Sequence, residues 1–306
     1  MNIWTELYRP REVEDYVFQN PEQKEQVNKW ISQGKIPHLL FSGSPGTGKT
    51  TLAKLLIHKL GVQDHDILEI NASRERGIDT IRNTIVKFSS TMPFGDFKVI
   101  LMDEADYLTP DAQASMRGVM EEYAETARFI LTCNYPNKII PALHSRCQGF
   151  HINNLDQTEF TARVATILMQ ENVEFELDIL DTFVKATYPD LRKCLNLVQQ
   201  SVTNNTLLPP STTNASTQDY KLAAVELMKS KKTREARKLI CSQIRADEID
   251  DFFRWCYSNL ELFSKTETGQ DKAIIIIKNA LVGHALMSDT EISVAAMLAE
   301  LSQIGE

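Results

Sequence analysis

Eight residues, Gly43-Ser44-Pro45-Gly46-Thr47-Gly48-Lys49-Thr50, have the types and spacing to hold a polyphosphate. They fit the pattern G-x-x-x-x-G-K-[ST]. Glycines let successive backbone N–H groups turn toward an anion with no Cβ in the way. Lys49 is placed to reach the β- and γ-phosphates, and the Thr50 hydroxyl to hold Mg²⁺. Ser44, Pro45, Gly46, Thr47 and Gly48 offer backbone to the same phosphates, with Thr51 in the turn that follows.

Two further places can do chemistry with a bound nucleoside triphosphate. Val99-Ile100-Leu101-Met102-Asp103-Glu104 is an apolar run ending in two carboxylates. Asp103 would serve Mg²⁺ through water, and Glu104 would orient and polarise an attacking water. Phe129-Ile130-Leu131-Thr132-Cys133-Asn134 is a second apolar run ending in an amide. Taken alone, Asn134 reads first as the turn residue before Tyr135-Pro136, and second as a γ-phosphate contact. Arg146, in Ser145-Arg146-Cys147, reads either as a surface arginine or as a group stabilising transition-state charge in a neighbouring subunit. Arg192, after Pro189-Asp190-Leu191, reads either as part of a capped helix start or as a contact to the nucleotide.

These residues need elements to position them. Leu39-Leu40-Phe41 before the glycine loop and Thr51 to Ile57 after it predict strand, loop and helix. At such a helix start the free N–H groups and the dipole favour an anion. The runs 99–102 and 129–132 predict buried parallel strands. Ala112, Met116, Val119, Met120 and Tyr123 predict one helix, and Ile78, Ile81, Ile85 and Phe88 another. Residues 39–150 thus alternate strand and helix, as α/β folds do. Beyond Leu155 the strand signals fade. Helices are expected over 156–172 and 176–202. Polar residues with Pro209-Pro210 predict a linker from Asn204 to Asn214, and 218–306 reads as helical. Ile274 to Ile277 is β-branched but continues a helical stripe, so it too reads as a buried helix.

Composition excludes several classes. Hydrophobic residues are 42% and charged residues 24% of the 306, ordinary for a globular protein. No apolar run approaches a membrane span, and the N-terminus lacks the pattern of a signal peptide. The five cysteines form no C-x-x-C pair, which leaves zinc and redox motifs unsupported and predicts free thiols in a cytoplasmic protein. The net charge of −8 argues against a surface basic all over, but not against a local basic track.

The order of these motifs resembles that of AAA+ ATPases. Their wording is similar to the sliding-clamp loaders among them, replication factor C small subunits and the large subunit of T4-like bacteriophage loaders. Trp4-Thr5-Glu6-Leu7-Tyr8-Arg9-Pro10 resembles the family's opening W-x-E-K-Y-R-P. Asn71-Ala72-Ser73-Arg74-Glu75-Arg76-Gly77-Ile78-Asp79 resembles N-A-S-D-E-R-G-I-D. Ser145-Arg146-Cys147 matches the family's signature triplet. The likeness is dense over 4–200 and weak beyond.

The resemblance implies an AAA+ fold: a P-loop ATPase domain over 1–152, a helical lid over 153–205, a linker over 206–217 and a helical collar over 218–306. It implies that Arg9, Pro10, Tyr16 and Val17 line an adenine pocket, that Asn134 and Arg192 sense the nucleotide, and that Arg146 acts on ATP held next door. Arg76, Arg82 and Lys138 match positions that touch DNA phosphates; such contacts read no sequence. The implied cofactors are ATP and Mg²⁺. The implied partners are primer–template DNA, the sliding clamp, other copies of this chain, a second loader subunit and, indirectly, a DNA polymerase; no membrane is implied. The compact length fits a phage loader acting in the host cytoplasm, and the wording fits archaeal and eukaryotic subunits almost equally. Other AAA+ replication or recombination motors, or a non-hydrolysing loader subunit, are the rival readings. Arg117-Gly118 departs from the two adjacent arginines frequent in the family, and Arg74 stands where an acid is common.

Overall fold

In a computed structural model of the chain, residues 3–74, 78–209, 220–229, 232–244, 249–284 and 290–304 are described. Contacts divide the chain into two compact units, Met1–Arg163 with Pro189–Lys193, and Val164–Tyr188 with Cys194–Glu306.

The first unit is built on a five-stranded sheet. Its strands are β1 (Leu39–Ser42), β2 (Ile67–Asn71), β3 (Lys98–Asp103), β4 (Ala127–Cys133) and β5 (Gln148–His151). Their order is β2-β3-β4-β1-β5, with every neighbouring pair parallel. Parallel strands are covered on both faces, so they need near-continuous apolar runs. Leu39, Val99, Ile100, Phe129 and Ile130 are accordingly inaccessible to solvent. This order sets the carboxyl ends of β1, β3 and β4 side by side, where open α/β sheets bind ligands.

The unit's helices are α1 (Trp4–Leu7), α2 (Pro21–Gln33), α3 (Lys49–Lys59), α4 (Ile78–Ser89), α5 (Pro110–Glu122), α6 (Pro141–His144) and the start of α7 (Gln157–Gln170). Proline at the first turn and a capping side chain start two of them. Asn20 accepts from the Gln23 N–H (3.0 Å) in α2, and Thr109 from the Ala112 N–H (3.2 Å) in α5. Leu40, Ile70, Ile100, Met102, Phe129 and Leu131 pack with Ile85, Met116 and Met120 of α4 and α5. Each such buried side chain stabilises by roughly 2 kcal/mol.

The second unit is helical, with α8 (Leu177–Thr187), most of α9 (Leu191–Ser201), α10 (Tyr220–Lys229), α11 (Thr233–Gln243), α12 (Ile249–Ser258), α13 (Glu267–His284) and α14 (Thr290–Leu301). The single helix expected over 176–202 is two. Pro189 lacks an N–H and biases Tyr188 away from helical geometry, and Tyr188 sits at ψ 135°. The start of the expected linker is ordered as a hairpin, β6 (Val202–Thr203) with β7 (Thr206–Leu207). Asn204 and Asn205 both take positive φ, 50° and 58°, as a two-residue turn of this hand requires. Ile274 to Ile277 is helical as expected, within α13; Ile277 is buried, whereas Ile275 is exposed. No described helix is long and apolar enough to cross a membrane.

Candidate nucleotide site

The glycine loop leaves β1 and enters α3, as its sequence requires. Gly46 and Gly48 hold φ of 74° and 89°. A Cβ on Gly46 would lie 1.8 Å from the Asp190 carboxylate, and one on Gly48 3.0 Å from the Tyr16 ring. Gly46 is therefore restricted by space as well as by torsion, and Gly48 chiefly by torsion. The Tyr16 hydroxyl donates to the Thr47 carbonyl (3.3 Å), and burial pushes its pKa up. Tyr16 thus supports the loop from beneath, with Val17 buried beside it in sequence. Arg9, by contrast, pairs with Glu6 (2.9 Å).

Lys49 is 7% exposed. Its Nζ donates to the carbonyls of Gly43 (3.0 Å) and Ser44 (2.7 Å). Burial pulls its pKa down to about 8, and Arg192 pulls the same way. Cys133, Asp106 and Asp103 oppose the shift. A buried ammonium among carbonyls, facing N–H groups at a helix start, fits an incoming polyphosphate.

Thr50 donates to Asp103 Oδ1 (2.6 Å). A hydroxyl and a carboxylate meeting at one point are the hard oxygen donors Mg²⁺ takes. Thr132 donates to the same Asp103 oxygen (2.6 Å) and accepts from the Glu104 N–H (3.0 Å). Glu104 itself sits at φ 57°, which non-glycine residues rarely adopt. Asp106 returns the link: its Oδ2 accepts from the N–H groups of Asn134 (3.3 Å) and Tyr135 (3.2 Å). Its Oδ1 is buried without a hydrogen-bond partner among the described residues.

A cavity of about 160 Å³ collects these groups. Pro45, Gly46, Gly48, Lys49, Thr50 and Thr51 form its floor, and Asp103, Glu104, Thr132, Cys133, Asn134 and Arg192 the remaining walls. Small-molecule sites usually exceed about 300 Å³, so this volume suits the phosphate end of a nucleotide. Arg192 is brought in at the start of α9. Asp190 caps that helix by accepting from the Lys193 N–H (2.8 Å), and burial raises the Asp190 pKa.

Arg146 lies elsewhere. It follows α6, donates to the Ala142 carbonyl (2.9 Å) and pairs with Glu121 of α5. Arg117 also approaches Glu121 (3.7 Å). Lys138 is exposed, its ammonium 4.5 Å from the Tyr135 ring centre. Arg76 lies outside the described residues, as does the side chain of Arg82 in α4.

Thr132 and Asp106 were not singled out in the sequence. A lone hydroxyl in the apolar run Phe129-Ile130-Leu131-Thr132 was the available signal for the first. Asp106 carries no local signal beyond its type, because its partners are backbone N–H groups brought close by the fold. Asp190 belongs to the capped helix start read before Arg192, but its approach to Gly46 was not legible.

Residues 39–154 match the sequence profile of a family described as "ATPase family associated with various cellular activities (AAA)". These residues are therefore similar to an AAA ATPase domain. Curated relatives include the replication factor C small subunit of Sulfurisphaera tokodaii, 45% identical over 203 residues, which are 65% of this chain and 62% of that protein. The replication factor C small subunit of Methanocella arvoryzae is 43% identical over 205 residues, 66% of this chain and 63% of that protein. The matched region therefore spans less than two thirds of either relative. Both are archaeal, and neither supports a phage origin. Among solved structures, two RuvB variants of Thermotoga maritima align with TM-scores of 0.58 and 0.59. They are 15% identical, over 79% and 80% of this chain and 88% of theirs, a likeness of fold alone.

Proposed function

We propose that this chain is an ATPase subunit of a DNA-polymerase sliding-clamp loader, working in the cytoplasm. The observation that carries the reading is the division of labour around the cavity. Lys49, Thr50, Asp103, Glu104, Asn134 and Arg192 line one phosphate-sized space, while Arg146 stands apart from it on the surface. The similarity to replication factor C small subunits supports the same reading.

In this reading the glycine loop and Lys49 hold the ATP phosphates. Thr50 and Asp103 would hold Mg²⁺, which supplies charge neutralisation at the β- and γ-phosphates. Glu104 orients water toward the γ-phosphate, and Asn134 and Arg192 contact that phosphate from the two sides. Tyr16, Val17, Arg9 and Pro10 lie toward the base. Arg146 completes the site of an adjacent copy, where an arginine in trans stabilises transition-state charge. Residues 1–152 act as the ATPase domain, 153–205 as a lid, 206–217 as a linker and 218–306 as an oligomerisation collar. Copies of the chain, with a second loader subunit, surround primer–template DNA. Arg76, Arg82 and Lys138 face its phosphates without reading bases. ATP binding opens the clamp, and hydrolysis releases it closed on DNA for the polymerase.

The test is steady-state ATP hydrolysis by the assembled protein, alone and with primer–template DNA plus a sliding clamp. Stimulation by the two together is expected. Turnover that ignores both would point to another AAA+ motor, and no hydrolysis under any condition to a structural subunit; either overturns the proposal.

A further inference from the structure

The geometry points to Thr132 as the positioning residue that aims Glu104, an inference that rests on the hydrolytic reading of the same cavity. The backbone pairing of β3 with β4 ends at Met102 opposite Leu131. One residue further on, the Thr132 side chain takes over. Its hydroxyl accepts from the Glu104 N–H (3.0 Å) and donates to Asp103 Oδ1 (2.6 Å). Thr132 is 2% exposed, so water does not replace these bonds.

Two features make this hydroxyl more than a packing group. Glu104 holds φ 57°, a backbone state that a residue with a side chain keeps only when its surroundings enforce it. The Glu104 N–H is held by Thr132 and its carbonyl by the Tyr107 N–H (3.0 Å), and of the two only Thr132 reaches across from β4; the residue so held lines the cavity. Asp103 Oδ1 accepts from Thr132 and from Thr50 together, so the donor from β4 fixes which way the carboxylate faces α3. One hydroxyl thereby sets both acids. Without it the Glu104 N–H loses its acceptor, and the residue can relax to negative φ with its carboxylate aimed elsewhere.

The role is to position the water-orienting acid, not to bind nucleotide, and this separates it from a merely structural one. Thr132→Val keeps the shape and removes the hydroxyl. In the assembled protein it should lower kcat by about 10²-fold, the low end of what a positioned base contributes. Its affinity for a fluorescent ATP analogue, measured without turnover and with EDTA in place of Mg²⁺ so that Asp103 is not called on, should change less than about threefold, since no contact to the phosphates is removed. Thr132→Ser should restore most of kcat, and Thr132→Cys, which differs from the serine variant only in sulfur for oxygen, should not. The Ser–Cys pair keeps the test decisive if the valine variant does not fold. The inference is overturned if Thr132→Val or Thr132→Cys turns over within about threefold of the parent, or if the serine variant is as slow as the cysteine one. Absence of hydrolysis by the parent protein would instead remove the reading on which the inference stands.

Discussion

The carboxyl ends of β1, β3 and β4 and the corner around Arg146 belong to one unit, yet they hold their charges in opposite ways. At the strand ends, Lys49 and Thr132 are 7% and 2% exposed, and both are fixed, Lys49 by backbone carbonyls and Thr132 by Asp103 and the Glu104 N–H. At the corner, the Arg146 side chain is 24% exposed and its partner Glu121 52%. The arginine lowers the Glu121 pKa first through their hydrogen bond. In water such a pair gains little, so Arg146 can exchange Glu121 for a stronger anion at small cost. A buried network does not exchange partners so freely. On the proposed reading, the strand ends are one half of a site and the corner holds the charge that a neighbouring copy would use.

The largest expected effects test that contrast directly. Glu104→Gln removes the water-orienting carboxylate and should lower kcat by about 10²–10⁴-fold. Arg146→Ala should lower stimulated turnover by about 10³-fold while leaving ATP affinity nearly unchanged, as loss of an arginine finger does. Each variant alone is then nearly inactive. Assembled together, they should regain turnover, because some sites pair an intact Glu104 with a neighbour's intact Arg146. A mixture no more active than the sum of its parts would place both residues in the same site and end the comparison.

The two regions also differ in how far the sequence foretold them. The strand-end half was legible because its parts are local: the loop motif, the acids ending an apolar run, and Asn134 ending another. What was not legible is the bracing between them. The bonds from Thr132 to Glu104 and from Asp106 to Asn134 join positions 28 residues apart, and they exist only once β3 and β4 lie side by side. Arg192 is further still; its place near a helix start and the family resemblance, not proximity in sequence, singled it out. β1, β3, β4, α3 and α5 followed from apolar runs and spacing, whereas β2 and β5 did not. The break at Pro189 and the Asn204-Asn205 hairpin did not, because periodicity in 176–202 outweighed one proline and polar composition masked a turn.

A smaller effect sharpens the picture of Lys49 as buried but unfinished. Burial lowers its pKa to about 8, and bound phosphate would raise it. Below pH 8 the lysine already carries its charge, and ATP affinity should be flat with respect to this group. Above pH 8 binding must take up a proton, so affinity should fall by up to about tenfold per pH unit. Titrating a fluorescent ATP analogue from pH 7 to pH 9.5 reads this slope. Affinity that stays flat to pH 9.5 would mean that Lys49 keeps its charge without the nucleotide.

The smallest effect asks whether the order at the carboxyl ends extends to the opposite end of the same strands. There the Phe129 N–H of β4 donates to His38 Nδ1 (3.1 Å), just before β1. The imidazole must be neutral to accept that bond. Burial, helped by the charge of Arg128, lowers its pKa to about 4. An unfolded chain would protonate the same histidine near pH 6.5. The sign follows. Above about pH 6.5 the histidine is neutral in both states and its stabilisation is complete; between about 6.5 and 4 the unfolded state gains a proton that the folded state refuses, and stability falls as pH falls. Urea midpoints from pH 7.5 to 4.5 should therefore drop with a slope containing up to about one proton from this residue, and His38→Gln should remove that part. If the slopes of parent and variant coincide, His38 is protonated in the folded protein and its bond to β4 is not held as the strand-end groups are.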